Sequence, residues 1–301
     1  MDFGFLNGAT NADLNSKIMQ FTIFTPTYNR AYTLPKLYKS LVNQQQQNFE
    51  WLIIDDGSTD DTEIIVNEFV AENKFPIRYI KQKNQGKHIA INNALKIADS
   101  KWFGIIDSDD FLVNEATEIW EKLALEAANK DFAGFSFIHF SENFEIGKEK
   151  YGKKRLADRR DYDWEFPGEM LFCFKTEIIR KFSFPVFPEE KFCQESVLFL
   201  PILRKYKMLI TDHVLVRGEY LGDGLSQNHY ASMLKNPRYG MLSIQEKMKS
   251  ATTEAEKEYL AEVYWDLALK SPHIPFMKKL PGIPAKFTVK VFKEKILKRF
   301  F

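Results

Sequence analysis

Short apolar segments alternate four times with segments of helical periodicity over residues 21–128. Such alternation is typical of a mostly parallel β-sheet with helices on both faces, so we predict an α/β fold. In such a sheet the carboxyl ends of the strands share one edge, and ligands usually bind there. The predicted strands are residues 21–25, 51–54, 77–80 and 102–106, and the predicted helices are 33–45, one through 64–69, 87–98 and 115–128.

The fourth strand ends in a cluster of acids, namely Asp107, Asp109 and Asp110. Carboxylates this close repel one another. A divalent cation would offset the repulsion, because Mg²⁺ binds carboxylate oxygens while keeping positions for water and phosphate. The alternative is a solvated loop in which Asp109 or Asp110 caps the following helix. This segment alone leaves both interpretations open.

Polar residues also follow the other predicted strands, at 25–30 (TPTYNR), 54–60 (IDDGSTD) and 84–87 (NQGK). Since the strand ends share an edge, these residues and the acids should line one crevice. There Tyr28 could stack on a nucleobase and Asp56 could accept its ring N–H. Lys87, at a helix N-terminus, would suit a diphosphate. The plainer alternatives are a packing role for Tyr28, a turn at Asp56 and a solvated Lys87.

Composition excludes several classes of protein. With 301 residues, 45% hydrophobic and 28% charged, the chain is long enough for a sizeable globular core. The net charge of +1 gives no drive toward nucleic acid, so no such partner is expected. No apolar run reaches the ~18 residues of a transmembrane helix, and the N-terminus lacks a secretory pattern. Cys173 and Cys193 are too few for a disulfide framework, and we expect reduced thiols in a cytosolic protein.

The polar clusters, in their order and spacing, resemble the motifs of family 2 glycosyltransferases. The resemblance rests on residues 25–30, 54–60, 84–86 with Asn92, and 107–110 (DSDD). It is close over about 20–130, and residues 187–196 (FPEEKFCQES) look like the later family segment that carries the catalytic base. It implies a GT-A (Rossmann-like) fold, which is a mostly parallel sheet flanked by helices, here with a helical C-terminal extension.

The resemblance also implies an activity and a set of roles. A sugar would move, with inversion, from a nucleotide diphosphate sugar, and most simply a UDP-sugar, to a saccharide or lipid-linked acceptor. Mn²⁺ or Mg²⁺ on Asp109 would bridge the diphosphate. Glu195 would be the catalytic base, with Glu189 and Glu190 as rivals and a helix-dipole role as the plainer alternative. The donor-binding positions are Pro26, Thr27, Tyr28, Arg30, Asp56, Asn84, Gly86, Lys87, Asp107 and Ser108.

Two other functions stay open. A phosphohydrolase of the haloacid dehalogenase type also places Asp-x-Asp after an apolar strand, and residues 222–224 (GDG) echo its later acidic loop. That motif normally follows the first strand, whereas here it follows the fourth, and the acids at 55–56 would have no role. The second alternative is a non-catalytic protein that holds a nucleotide sugar. Intact Asp107, Asp109 and Glu195 argue against it.

The second half of the chain is less regular. Its predicted features are strands at 132–140, 170–174 and 208–216, a charged excursion at 141–168, a helix at 195–206, a loop at 222–226 and helices over 231–270. His213 or the 222–226 loop could touch the donor, although a structural histidine and a plain surface turn are the alternatives. The predicted divisions are a leader at 1–19, a GT-A catalytic domain at 20–230 with a nucleotide-sugar half (about 20–130) and an acceptor half (about 131–230), and a C-terminal helical region at 231–301.

The basic C-terminal tail predicts binding to a membrane surface. Residues 277–301 hold eight Lys or Arg and one Glu, a net charge of +7. Basic amphipathic helices bind anionic membranes, and residues 281–284, with two prolines, would form a hinge. We expect a cytoplasmic enzyme of surface polysaccharide synthesis, peripheral on the inner face of the membrane. A solvated tail or a helix packed on the protein's own core is the alternative. The apolar face would comprise Val289, Phe292, Ile296 and Phe300.

Overall fold

The computed structural model describes residues 19–128, 131–141, 155–157, 169–218 and 229–300. The predicted leader lies outside these residues except for Met19, as do the 222–226 loop and most of the 141–168 excursion. The strands are β1 (Phe21–Thr27), β2 (Phe49–Asp55), β3 (Ile77–Lys81), β4 (Trp102–Ile105), β5 (Asp110–Leu112), β6 (Phe132–Ser141), β7 (Arg155–Ala157), β8 (Glu169–Lys175), β9 (Lys207–Ile210) and β10 (Val214–Gly218). The helices are α1 (Leu34–Val42), α2 (Thr62–Glu72), α3 (Lys87–Ile97), α4 (Ala116–Glu126), α5 (Thr176–Ile179), α6 (Ser196–Lys205), α7 (His229–Lys235), α8 (Pro237–Met248), α9 (Glu254–Leu269), α10 (Phe276–Lys279) and α11 (Ala285–Phe300).

The described strands form one sheet in the order β3-β2-β1-β4-β8-β6-β10-β5, with β9 paired to β6 and β7. The first four strands pair with one another in parallel. Antiparallel pairing begins at β8, which lies between β4 and β6. The predicted α/β sheet flanked by helices is confirmed, and its second half is mixed rather than parallel.

Alternate residues of the central strands bury their side chains on opposite faces of the sheet. Ile23 and Trp51 lie in an apolar cluster with α1, α2 and α4. Phe24 and Leu52 lie in a second cluster with α3, α5 and α6. Because helices cover both faces of the sheet, the sequences of these strands are continuously apolar and do not alternate between apolar and polar residues.

The first strand is longer than predicted. The sequence predicts a turn at Pro26, but Pro26 and Thr27 pair with residues 54–55 of β2. The pairing of β1 with β4 ends at Phe24. The ring nitrogen of Pro26 faces that unpaired side, where no ladder hydrogen bond is lost.

The acids after β4 do not cap the next helix. Asp110 begins β5, which pairs antiparallel with β10, and the N-cap position of α4 is Glu115. The capping alternative for Asp109 or Asp110 is therefore wrong. A three-residue strand is too short to leave a periodic signal in the sequence.

Two long predicted elements are interrupted. The strand predicted at 208–216 is two strands, β9 and β10, which pair with successive parts of β6. Between them the Thr211 hydroxyl donates to the Ser136 carbonyl at 2.9 Å. The helical segment over 231–270 is three helices, because Pro237 opens α8 and Thr253 caps α9. Cys173 and Cys193 are both buried and free.

The C-terminal helices pack around Trp265. Phe287 and Val291 of α11 are buried in this third apolar cluster, and the Phe292 ring lies 4.9 Å from that of Trp265. The predicted 281–284 hinge is packed as well, since a Cβ on Gly282 would lie 2.2 Å from the Tyr264 hydroxyl.

Of the apolar face predicted for α11, Phe292 is therefore packed on the protein, whereas Val289 is 51% exposed. The side chains of Ile296 and Phe300 lie outside those described. Among the described residues, no helix combines the length and the apolarity needed to span a membrane.

Candidate active site

The loops after β1 and β2 are joined at the carboxyl edge of the sheet. Asn29, in a left-handed conformation (φ 52°), accepts a hydrogen bond from the Thr59 N–H at 2.8 Å. Its own N–H donates to Ser58 Oγ at 2.8 Å. Asparagine tolerates this conformation because its short side chain can hydrogen-bond locally. The polar clusters 25–30 and 54–60 are thereby held side by side, as predicted.

Asp56 is buried and holds the third polar cluster in place. Its carboxylate accepts hydrogen bonds from the N–H groups of Gln85 (2.8 Å) and Gly86 (2.7 Å) and from Gln82 Nε2 (2.8 Å). Burial raises the pKa of Asp56, and the three bonds oppose that rise. A carboxylate has about four lone-pair sites, so Asp56 keeps capacity for one further donor.

Gly86 brings this loop against the segment before α6. Its φ of 96° lies in the region that favours glycine, and a Cβ there would sit 2.0 Å from the Lys191 carbonyl oxygen. Only glycine allows this approach. The contact places Lys87, the first residue of α3, opposite Glu195.

Lys87 joins two carboxylates that are distant in sequence. Its Nζ lies 2.6 Å from Asp107 Oδ1 and 2.7 Å from Glu195 Oε1. Burial favours the neutral amine, but Asp107 and Glu195 outweigh it and hold the pKa of Lys87 above its ordinary value. A lysine cation therefore bridges the strand-end acids and the predicted base.

The turn from Asp107 to Asp110 concentrates negative charge. It is closed by the Asp110 N–H, which donates to the Asp107 carbonyl at 3.1 Å. Burial and the charge of Asp107 raise the pKa of Asp109, while Arg30 and Lys87 oppose the rise. Ionising Asp109 is thus costly without more positive charge, and a cation would supply that charge.

The carboxylates of this turn suit a cation that is bound partly by the protein and partly by a substrate. In the described part of the chain, no three His, Cys, Asp or Glu residues come together as a complete metal site. Mg²⁺-type ions are commonly bound by one or two carboxylates, with water and substrate phosphates in the other positions. Asp109 and Asp107, beside the Lys87 cation, fit that arrangement.

The three candidate bases have different surroundings. Glu190 is buried and accepts hydrogen bonds from the N–H groups of Arg238 (3.1 Å) and Tyr239 (3.0 Å), so it caps α8. Glu189 is exposed. Glu195 occupies the N-cap position of α6, where its side chain makes no capping bond and instead contacts Lys87. Glu195 is the one of the three placed against the acid cluster.

The other predicted donor positions lie along the same edge. Thr27 Oγ1 is buried, and within the described residues it has no hydrogen-bond partner. A buried hydroxyl without a partner at a ligand edge suits a ligand contact. Tyr28 is 46% exposed, as a stacking surface must be. The remaining positions are Pro26 at the end of β1, half-buried Asn84 and buried Ser108.

Residues 22–186, more than half of the chain, match the family described as Glycosyl transferase family 2. The chain belongs to this family. Membership favours the predicted sugar transfer over the haloacid dehalogenase alternative. The matched segment contains the four polar clusters and ends before Glu195.

A curated relative covers most of this family 2 chain. The GalNAc(5)-diNAcBac-PP-undecaprenol beta-1,3-glucosyltransferase of Campylobacter jejuni is 26% identical over 223 residues, which is 70% of each protein. Three other curated relatives are 35–38% identical, but the alignments cover 37–41% of this chain and 16–20% of theirs. The chain spans a fifth or less of the length of those three.

Two solved structures share the fold of this family 2 protein. S. aureus TarS 1–349 in complex with UDP-GlcNAc has a TM-score of 0.58 at 19% identity, over 84% of this chain and 72% of that one. Mannosyltransferase PcManGT from Pyrobaculum calidifontis, in complex with GDP-Man and Mn²⁺, has a TM-score of 0.55 at 16% identity, over 87% and 77%. The GT-A fold predicted for family 2 is confirmed.

The structure adds two residues that the sequence did not point to. His139 of β6 contacts Asp110, with 2.9 Å between Nε2 and Oδ1. Glu169 opens β8 directly opposite His139 in the sheet. Burial, then the nearby charges of Glu195 and Asp107, raise the pKa of Glu169. In the sequence, the alternating pattern of β6 is the feature that bears on His139, and it groups this residue with the core phenylalanines.

His213 lies away from this edge. It precedes Val214, the first residue of β10, whereas Gly218 at the other end of β10 pairs with Asp110. Four residues of strand between Val214 and Gly218 correspond to ~13 Å. A role for His213 near the Asp107–Asp110 turn is therefore not supported.

Proposed function

We propose that this family 2 protein is a metal-dependent glycosyltransferase that moves a sugar from a nucleotide diphosphate sugar, with inversion, to a hydroxyl acceptor. The observation that carries the proposal is the Lys87 bridge between Asp107 and Glu195. It places a cation suited to a diphosphate beside a carboxylate suited to take a proton. A UDP-sugar is the proposed donor, by likeness to TarS with UDP-GlcNAc.

The donor would lie along the strand ends. Tyr28 stacks on the base, and Asp56 uses its remaining acceptor capacity for the ring N–H. Thr27 Oγ1 gains a partner, and Asp107 contacts the ribose. Arg30 and Lys87, the latter at the N-terminus of α3, contact the diphosphate.

Donor binding would also free the base. When the diphosphate takes Lys87, Glu195 loses its ion pair and becomes available to the acceptor. Glu195 then removes the proton from the acceptor hydroxyl as its oxygen attacks the anomeric carbon. The bond from that carbon to the diphosphate oxygen breaks, and its electrons leave with the nucleotide diphosphate. A single displacement of this kind inverts the anomeric carbon.

Asp109, with Asp107 beside it, would hold the divalent cation. When bound, Mn²⁺ or Mg²⁺ supplies Lewis-acid neutralisation of the charge that develops on the leaving diphosphate. The Mn²⁺ in PcManGT supports this proposal by likeness of fold. The sequence and the contacts favour neither ion over the other.

The proposed acceptor is a saccharide on a lipid carrier, by similarity to the Campylobacter enzyme, whose name includes undecaprenol. A surface near α9 is suited to contact a membrane that carries such an acceptor. Here, on the corner formed by residues 269–278, Phe276 is 49% exposed and Met277 is 73% exposed. Lys278 follows them and is exposed, and Lys270, at the start of the corner, is exposed and paired with Asp266 at 2.8 Å. Exposed apolar side chains between lysines suit an anionic lipid surface.

The corner is rigid. Buried Lys279 donates from Nζ to the Ser271 carbonyl at 2.8 Å, and the Tyr264 hydroxyl donates to the Lys279 carbonyl at 2.7 Å. The Phe276 ring packs 5.7 Å from that of Trp265. The backbone that carries Met277 is thus fixed, and Phe276 packs partly on the core while half of its side chain stays exposed.

Contacts also connect the corner with the crevice. His88, next to Lys87, packs 4.5 Å from Tyr239 at the start of α8. The following residue, Gly240, lies against Leu267 near the end of α9. We therefore assign the proposed membrane contact of the C-terminal region, on the inner face of the cell membrane, chiefly to this corner.

The membrane proposal predicts a specific defect. Met277→Glu should weaken binding to anionic vesicles by about ten-fold or more, because it removes an apolar group worth roughly 1.5–3 kcal/mol on burial and adds a like charge. Co-sedimentation with vesicles containing phosphatidylglycerol measures the binding. Leu125→Glu is the matched control, since Leu125 on α4 is 74% exposed. Equal binding by Met277→Glu and the wild-type protein would contradict the assignment.

Truncation of the chain before α11 is not a suitable test of membrane binding, since it would expose the buried side chain of Trp265.

The test of the whole function is a donor screen. UDP-, GDP- and other nucleotide sugars are offered with Mn²⁺, and both the melting temperature and nucleotide diphosphate release are measured. We expect one donor class to stabilise the fold, since ligands stabilise the state that they bind, and to be turned over with an acceptor hydroxyl. Stabilisation without release in the presence of saccharide and lipid-linked acceptors would favour the non-catalytic alternative. Neither response to any donor would reject the proposal.

A further inference from the structure

A histidine and an acid make a bond across an intervening strand at the edge of the crevice. His139 lies on β6 and Asp110 on β5, and β10 runs between these two strands. Nε2 of His139 reaches Asp110 Oδ1 at 2.9 Å, and both side chains are largely buried, at 14% and 13% exposure. The bond passes over Gly218 of β10.

Gly218 leaves the space that this bond needs. A Cβ on Gly218 would lie 2.1 Å from Asp110 Oδ1 and 2.7 Å from His139 Nε2. Both distances are shorter than van der Waals contact allows. Three strands therefore contribute one residue each to the arrangement, and a change at any of them would disrupt it.

Asp110 is also the anchored end of the turn that presents Asp107 and Asp109. Its N–H closes the turn onto the Asp107 carbonyl at 3.1 Å. On its far side, the Leu112 N–H donates to Ser40 Oγ at 3.1 Å, which fixes the end of β5. The side chain of Asp110 is thus the link between the acid turn and β6.

The burial of Asp110 makes this link costly to lose. Its side chain is 13% exposed, and within the described residues His139 Nε2 is the hydrogen-bond partner of its Oδ1. A buried polar group that loses its hydrogen-bond partner is destabilised and tends to move, and such a movement would disturb the turn.

We propose that His139 is a positioning residue, which holds Asp110 across Gly218 and so fixes the geometry in which Asp107 and Asp109 receive a divalent cation and the donor diphosphate. The inference rests on the proposed function for its ligands and on the contacts for its geometry. His139 would not touch the donor or the transferred proton. Its loss should therefore weaken cation and donor binding and spare the base step.

The experiment compares His139→Ala, His139→Gln and Gly218→Ala with the wild-type protein. Calorimetry with Mn²⁺ and UDP measures affinity, and kinetics with the donor from the screen separate KM from kcat. His139→Ala should weaken Mn²⁺–UDP binding and raise the donor KM by about ten-fold or more, the usual scale for a hydrogen bond to a charged group. The kcat at saturating donor should change by less than about three-fold.

The other variants separate positioning from general destabilisation. Gln can place an amide donor near the position of Nε2, so His139→Gln should recover most of the lost affinity. Gly218→Ala should reproduce His139→Ala, because it pushes the same two side chains apart. His213→Ala, at the other end of β10, is the matched control and should bind like the wild-type protein. Wild-type affinity in His139→Ala, or a loss that Gln does not recover, would overturn the proposal.

A measurement without ligand keeps this inference distinct from the proposed function. Hydrogen exchange should be faster over residues 107–112 in His139→Ala than in the wild-type protein or His213→Ala, since the turn loses its anchor. If the wild-type protein binds neither Mn²⁺ nor UDP, the proposed ligands are wrong. Hydrogen exchange then remains as the test of whether His139 anchors the turn. Unchanged exchange over 107–112 would overturn the anchoring whatever the ligand results.

Discussion

Replacing Glu195 with glutamine should lower turnover by roughly 10²–10⁴-fold, the usual range for removal of a positioned general base. The amide keeps the shape of the side chain and can hydrogen-bond to the acceptor hydroxyl, but it cannot accept the proton. Donor affinity should not fall, because in the proposed complex the diphosphate has replaced Glu195 as the partner of Lys87. Initial rates and calorimetry with the donor from the screen measure the two quantities.

Glu190→Gln is the matched control. Glu190 accepts backbone hydrogen bonds from Arg238 and Tyr239 and so caps α8. Its loss should lower the free energy of unfolding by about 1 kcal/mol, the usual scale for a helix cap, and leave the rate per folded molecule close to that of the wild-type enzyme. Normal turnover in Glu195→Gln together with lost turnover in Glu190→Gln would show that the base was assigned to the wrong acid.

Local pattern predicted the half of the fold in which strands alternate with helices along the chain and pair with one another in parallel. The first four strands are parallel and each lies near its predicted position. Their polar carboxyl ends meet at one edge, which brought residues 25–30, 54–60 and 107–110 together as expected. The pairing of Lys87 with Glu195 did not follow from periodicity. The family resemblance marked both residues, and the close approach of Gly86 to Lys191 brings them into contact.

The mixed half of the sheet depends on non-local pairing, which a sequence pattern does not contain. His139 alternates with Phe135 and Phe137 in β6, so period-2 spacing marks it as a core position. Its contact with Asp110 exists because β10 and β5 follow β6 in the sheet. Gln44 is a similar case, since its side chain bonds to the Val113 carbonyl at 2.8 Å. A run of glutamines gave no sign of that burial.

The packing of the C-terminal tail was unpredictable from the sequence for a different reason. An amphipathic basic helix has the same sequence pattern whether its apolar face meets lipid or protein. In α11, Phe287 and Val291 pack on the α9 cluster and Lys290 forms an ion pair with Glu258 at 2.6 Å, whereas Val289 is exposed. Only the tertiary partner decides between the two. The exposed corner at Phe276 and Met277 overlaps the predicted tail only at its first residues.

Asp109→Ala should reduce transfer by about 10³-fold or more, because it removes the proposed anchor of a cation that stabilises transition-state charge by several kcal/mol. Mn²⁺ binding measured by calorimetry should be lost in parallel. Asp99→Ala is the matched control, since Asp99 is 87% exposed and lies at the opposite end of strand β4 from the acid turn. It should keep wild-type activity and Mn²⁺ affinity.

Asp109→Ala should not destabilise the fold. The pKa shift of Asp109 determines how the substitution changes the free energy of unfolding as the pH rises. The pKa of Asp109 is raised in the folded protein, first by burial and then by Asp107. A carboxyl group with a raised folded pKa contributes stability below its unfolded pKa of about 3.9, and that contribution is lost as the pH rises through the folded pKa. Without added metal, the free energy of unfolding of the wild-type protein should therefore decrease relative to that of Asp109→Ala as the pH rises over this range. At pH 7 the variant should be at least as stable as the wild-type protein in urea denaturation. Activity in Asp109→Ala that survives a chelator at the wild-type level would remove the metal from the mechanism.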